Sequence, residues 1–177
     1  MRIVITGSPG TGKSIVAMKL SGMLGIPLVQ IRKVAVEKLL VGKRHEVDIR
    51  RLAAALSFLK KQKDFVVEGH LACEMRLPAD FVFVLRTNPE TLKRRLAKRR
   101  YAKAKLEENL MAEMLDYCTQ RCENVYGKKS LELDTSRLTP EKSAAKLAKA
   151  IKQKKKRLDC VDYSAYLRAY LRPGGNR

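Results

Sequence analysis

The chain contains no apolar run approaching the roughly 20 residues that a membrane-spanning helix requires, so no such helix is expected. No secretory leader is expected either, because Arg2 leads directly into a strand-like segment whose next turn is rich in glycine. The expected compartment is the cytoplasm, or the nucleus in a eukaryotic cell. Histidine is scarce: there are two in 177 residues, and His45 has no chemical context around it. Of the four cysteines, Cys118 and Cys122 lack a nearby histidine or a second close pair, which argues against a metal site there. Cys118 and Cys122 lie four apart on an expected helix and read as ordinary thiols of a reducing compartment. No internal repeat is present. The largest deficit is in acidic residues, 18 against 38 Lys and Arg, for a net charge of +20. A small enzyme acting only on free nucleotides has no need of so strong a field. It favours contact with nucleic acid or a ribonucleoprotein, the alternative being a lysine-rich surface adapted to heat or salt.

With 45% hydrophobic and 32% charged residues, the chain suits one folded domain rather than disorder. Its most informative stretch is Met1 to Ser14, an apolar strand running into Gly7-x-x-x-x-Gly12-Lys13-Ser14. This is a P-loop in its proper context. Gly7, Gly10 and Gly12 let the backbone approach a phosphate chain, with Thr11 and Ile15 completing the cradle. Lys13 reaches the β- and γ-phosphates of ATP, and the Ser14 hydroxyl ligates Mg²⁺. The helix that follows turns its positive end toward the same phosphates.

The pattern predicts strands over 2–6, 28–30, 65–68, 81–85 and 131–133, several of them continuous apolar runs of the kind buried on both faces of a parallel sheet. Helices are expected over 13–24, from the second strand to about 41, over 47–62, 89–98 and 103–126, and from Pro140 behind a Thr139 cap. Strands alternating with helices give a three-layer α/β fold with a five-stranded parallel sheet. The expected domain covers 1–151, with a monophosphate-binding arm at 30–48 and a lid at 98–108. A basic tail with a helix follows at 152–177. Its tyrosines 163, 166 and 170 have helical spacing and belong to a helix packed back on the domain or to a partner-binding tail.

Two further features narrow the chemistry. Glu68-Gly69-His70 closes the third strand, where a carboxylate would complete the Mg²⁺ shell and His70 would orient a water or touch the γ-phosphate. The segment from Arg86 to Tyr101 carries Arg95 and Arg99 on one helical face, suited to charge that develops on a transferred phosphoryl group.

These motifs resemble adenylate kinase isoenzyme 6. The resemblance rests on Gly7-Ser-Pro-Gly-Thr-Gly-Lys-Ser14, Val66-Val-Glu-Gly-His70, Val82-Phe-Val-Leu-Arg-Thr87, Leu92-x-x-Arg95-Leu96-x-x-Arg99-x-Tyr101 and Lys105-Leu-x-x-Asn109-x-x-x-Glu113. It implies a P-loop nucleoside monophosphate kinase with a short lid, ATPase activity, and a role in maturing the small ribosomal subunit through a ribosomal protein or ribosomal RNA. The chain departs from that pattern in having Glu68 for an aspartate, Arg100 for a glycine, and Val36 where the arm would carry a phosphate-binding arginine. Arg32, Lys43 and Arg44 are the candidate substitutes. Three readings stay open at this point: a kinase using an AMP-type acceptor, a ribosome-assembly ATPase with vestigial kinase activity, and another small-molecule P-loop kinase. A monomer or weak oligomer is expected.

Overall fold

Five short strands pair side by side, all parallel, in the order β2-β3-β1-β4-β5. They are β1 (Arg2–Thr6), β2 (Leu28–Gln30), β3 (Phe65–Glu68), β4 (Phe81–Arg86) and β5 (Ser130–Asp134). The structure is a computed structural model and describes residues 1–42, 46–98 and 102–172. Alternation along β1 shows why both faces must be covered. Ile3 and Ile5 join Phe83, Leu85, Leu131 and Leu133 in a core capped by α1 (Lys13–Leu24) and α7 (Pro140–Lys152). Val4 faces the other way, with Phe65, Val67, Val82 and Val84, toward α3 (Ile49–Ala55) and α6 (Tyr117–Tyr126). The expected three-layer P-loop kinase fold is the one the chain adopts.

Three helices differ from their expected extents, each for a physical reason. α2 covers only Ile31–Glu37, and Leu39 behind it takes a left-handed backbone, φ 52°. The arm then returns through an isolated bridge between Val41 and Val47. Asp48 rather than Val47 opens α3, because its carboxylate accepts from the amides of Arg50 and Arg51. α3 stops at Ala55 and a 3₁₀ turn takes over at Ser57–Lys61. Leu52, Leu56 and Leu59 are all buried, and the last step of three residues suits the tighter winding.

The expected helix over 103–126 is in fact two, α5 (Lys103–Met114) and α6, broken at Asp116 with φ 54°. The break bends the chain around Arg86, which is fully buried. Its guanidinium meets Glu113 at 2.9 Å, Asp116 and Glu132, and lies 5.1 Å from the centroid of the Tyr163 ring. Burial of that cation depends on these partners, since removing one partner of a buried pair costs about 3–5 kcal/mol.

The segment after Lys152 returns to the domain. Residues 152–157 are exposed, but Asp159 accepts from the Lys146 ammonium at 2.7 Å and from the Asp134 amide at 2.9 Å. Tyr163 is buried, and α8 (Ser164–Leu171) lays Tyr166, Leu167 and Tyr170 against Leu92 and Leu96 of α4 (Pro89–Ala97) and Leu110 and Met114 of α5. Of the two readings of the tyrosine spacing, these contacts are those of a helix packed on the domain.

Candidate phosphate site at the carboxyl ends of the strands

Each strand ends in, or is followed at once by, a polar side chain on the same edge of the sheet: Thr6, Gln30, Glu68, Thr87 and Thr135. In an open parallel sheet this edge is where ligands bind. The glycine-rich loop emerges there from β1. Gly7 (φ 138°) lies so close to β4 that a Cβ would come within 2.3 Å of the Leu85 carbonyl oxygen. Gly10 (φ 95°) is similarly pressed against Leu92 and Leu96. Thr11 closes the turn internally, its hydroxyl donating to the Ser8 carbonyl at 2.9 Å. Lys13, the first residue of α1, sends its ammonium back along the loop to the same Ser8 carbonyl at 3.3 Å. Gly10, Gly12, Lys13, Ser14 and Ile15 line a small depression, with Ser14 and Ile15 exposed.

Glu68 stands beside this loop because β3 pairs with β1 in a register that sets Ile5 opposite Glu68. The Ser14 hydroxyl donates to Glu68 Oε2 at 3.1 Å. Gln30 sits opposite Glu68 on β2 and donates from Nε2 to Oε1 at 3.3 Å. A hydroxyl and a carboxylate are hard oxygen donors that suit Mg²⁺. Among the described residues no group of three or more His, Cys, Asp or Glu would hold a metal alone. The rest of such a shell would therefore come from phosphate oxygens and water.

His70 follows at the start of a 3₁₀ turn, His70–Glu74, whose first carbonyl accepts from Thr6 Oγ1 at 3.2 Å. The approach is tight, since a Cβ on Gly69 would lie 2.8 Å from Ile31 Cβ. His70 is open to water on one side, but desolvation by the cleft, and then the charges of Lys13, Lys105 and Arg32, push its imidazole down from 6.5 to about 4. The ring is neutral at physiological pH.

Arg95, on α4, reaches the same edge from the side of β4 and β5. Its guanidinium donates to the Thr135 carbonyl at 3.1 Å, Thr87 Oγ1 at 3.3 Å and the Gly10 carbonyl at 3.5 Å. The structure thus gathers Gly7, Gly10, Thr11, Gly12, Lys13, Ser14, Ile15, Glu68, His70 and Arg95 around one loop. Arg99, with Lys43, Arg44 and His45, lies outside the described residues. Sequence reasoning missed Gln30, Thr87 and Thr135. Each stands at or just past the end of a strand, but which strand ends share an edge emerges only from the order of the sheet. A larger cleft of about 210 Å³ lies along the outer side of β5, lined by residues including Thr119, Glu132, Lys156 and Asp159; it contains none of the candidate residues.

A glycine-rich loop between a central parallel strand and a helix, with a carboxylate on the adjacent strand, defines a P-loop protein of the kinase fold. Residues 3–116 match the family model described as an AAA domain. A "Putative adenylate kinase" of Pyrococcus furiosus is 38% identical over 187 aligned positions, spanning 99% of this chain and 100% of that protein. Its namesake in Methanocaldococcus jannaschii is 35% identical over 97% of both. The chain belongs to this family of archaeal P-loop proteins. Among solved structures, shikimate kinase from Acinetobacter baumannii superposes with a TM-score of 0.66 at 17% identity, over 87% of this chain and 94% of that one. Deoxyadenosine kinase from M. mycoides does so with a TM-score of 0.62 at 18% identity, over 88% and 100%. At these identities the likeness is one of fold.

Proposed function

We propose that the chain is a nucleoside monophosphate kinase of the adenylate kinase isoenzyme 6 type, moving the γ-phosphoryl group of ATP to an AMP-type acceptor, and to water when no acceptor is held. The observation that carries this reading is the Ser14–Glu68 contact at 3.1 Å beside Lys13. The relatives' shared name supports it. In this reading Gly7, Gly10, Thr11, Gly12, Ser14 and Ile15 surround the triphosphate, and backbone amides together with the α1 N-terminus offset its charge. Lys13 adds a point charge at the β- and γ-phosphates. Ser14 and Glu68 would hold Mg²⁺, which when bound supplies positive charge to the phosphate oxygens. Neutral His70 offers a nitrogen that orients the attacking hydroxyl or water. Arg95 and Arg99 meet negative charge as it grows on the group in transfer.

A second reading, an ATPase that assists assembly of the small ribosomal subunit with vestigial kinase activity, is favoured by Val36. It is 55% exposed on α2 and offers no charge to an acceptor phosphate. The net charge of +20 and the exposed Lys152–Arg157 run point the same way.

A coupled assay of the whole protein with Mg·ATP, alone and with a panel of nucleoside monophosphates, separates the two. Diphosphate formation from AMP well above hydrolysis is the expected result. Hydrolysis that no acceptor diverts would overturn the kinase reading and leave the ATPase. Lys13→Ala is the control and should lose at least about a hundredfold in turnover, as deletion of a preorganised charge contact does. Near-parental turnover in that variant would remove the phosphate site altogether.

A further inference from the structure

The peptide that joins Thr11 to Gly12 can in principle face either way. Flipping it changes ψ of Thr11 and φ of Gly12, and glycine accepts either sign of φ. Gly12 sits at φ 90°, with nothing within 4 Å of where a Cβ would be. Yet its orientation decides what the loop offers a phosphate. In a trans peptide the carbonyl and the following N–H point in opposite directions, and no peptide among the described residues is cis. Whatever holds the Thr11 carbonyl therefore aims the Gly12 amide.

That carbonyl is held from across the sheet. Thr135, just past β5, is buried, and its Oγ1 lies 3.0 Å from Thr11 O. The same hydroxyl lies 2.9 Å from Arg86 O and 2.7 Å from Thr87 Oγ1. A threonine hydroxyl has one proton to give. Arg86 O already accepts the Thr135 amide at 2.8 Å, and Thr87 has a proton of its own to donate to Thr135. The Thr135 proton is within reach of both Arg86 O and Thr11 O, and the contact to Thr11 O is the one that reaches the loop. The Gly12 N–H on the far side of the peptide finds no acceptor among the described residues. Thr135 also accepts at its carbonyl from Arg95 at 3.1 Å, so one residue holds both the loop and the arginine.

We propose that Thr135 is a positioning residue of the phosphate site: its buried hydroxyl holds the Thr11 carbonyl toward the sheet and so turns the Gly12 amide outward to meet a polyphosphate oxygen. The proposal rests on the nucleotide-binding reading above and adds to it a residue outside the glycine-rich motif.

The test uses the full chain and two readouts, the dissociation constants of ATP and of inorganic tripolyphosphate by calorimetry, and the Gly12 amide resonance by NMR. Thr135→Val keeps the shape and removes the proton. It is expected to weaken both ligands about tenfold, the scale of one lost hydrogen bond, and to abolish the low-field shift of the Gly12 amide that ATP produces in the parent. Thr135→Ser restores both. Thr87→Val, which disturbs the neighbouring hydroxyl and leaves the contact to Thr11 in place, keeps the Gly12 shift. If the valine variant does not fold, Thr135→Ala carries the same comparison against Thr135→Ser. Parental affinity and a parental Gly12 shift without the hydroxyl overturn the proposal, as does a serine variant as weak as the valine one. A parent that binds neither ATP nor tripolyphosphate overturns the nucleotide site and this proposal with it.

Discussion

His70 shows what the site demands of a single side chain. It stands among three cations drawn from α1, α2 and α5, and desolvation and those charges oppose its protonation. Between the ordinary value of 6.5 and the folded value of about 4 the unfolded chain takes up a proton that the folded chain refuses. Stability is therefore full above about pH 6.5, falls as pH is lowered through that window, and reaches its floor near pH 4. Urea denaturation at pH 7.5, 6 and 5 should show this decline, and His70→Asn should flatten it. A variant whose slope matches the parent's would mean that His70 does not carry the effect. The same geometry gives the ring a sensor's property, because polyphosphate next to Lys13 would offset the charge that holds the imidazole neutral.

At the level of elements, helix starts marked by a polar cap and a proline were legible, and the other ends and the breaks of helices were not. Asn88 before Pro89 and Thr139 before Pro140 mark two starts from residue type alone, and both side chains cap as expected, to the amides of Glu90 and Lys142. Asn88 does more: its Nδ2 donates to the Tyr166 hydroxyl at 2.6 Å, tying the start of α4 to α8. Thr139→Ala should cost about 1 kcal/mol, the usual worth of a cap. Asn88→Ala should cost more, and Tyr166→Phe should recover little of the difference when added to it. Additive losses in that double-mutant cycle would show that the two residues act independently. The five strands were readable because buried parallel strands are short apolar runs with no competing period. The breaks at Leu56 and Asp116 were not, because both are set by distant partners, a core that wants Leu59 inward and a buried Arg86 that wants Glu113 and Asp116 on either side. The loop, Glu68 and Arg95 of the candidate site could be read from motifs. Gln30, Thr87 and Thr135 could be found only once the strand ends were aligned.

Over the whole molecule the positive charge is spread over exposed positions rather than spent in the site, and the Lys152–Arg157 run projects from a segment otherwise anchored at Asp159 and Tyr163. If this surface meets ribosomal RNA, binding should fall steeply with salt, since each phosphate neutralised releases counterions. Replacing Lys154, Lys155, Lys156 and Arg157 by Ser should reduce the slope of log affinity against log salt without altering ATP turnover. Removing the whole segment would be a poorer test, because it uncovers Arg86 and the apolar face of α4. No binding at low salt would leave the charge as a property of the surface alone. The order of the sheet has a consequence for how the protein comes into being. β1 is made before the strands that flank it and occupies the centre, but Arg2 pairs with Phe65 and Ile3 with Phe81, so it has no neighbour until the chain reaches Phe65 and lacks its second until Phe81. A growing chain on the ribosome carries the complete glycine-rich loop long before any strand can seat it. If the loop binds nucleotide, capture is then a property of the finished sheet, and a chain halted midway holds the signature of the site with none of its grip.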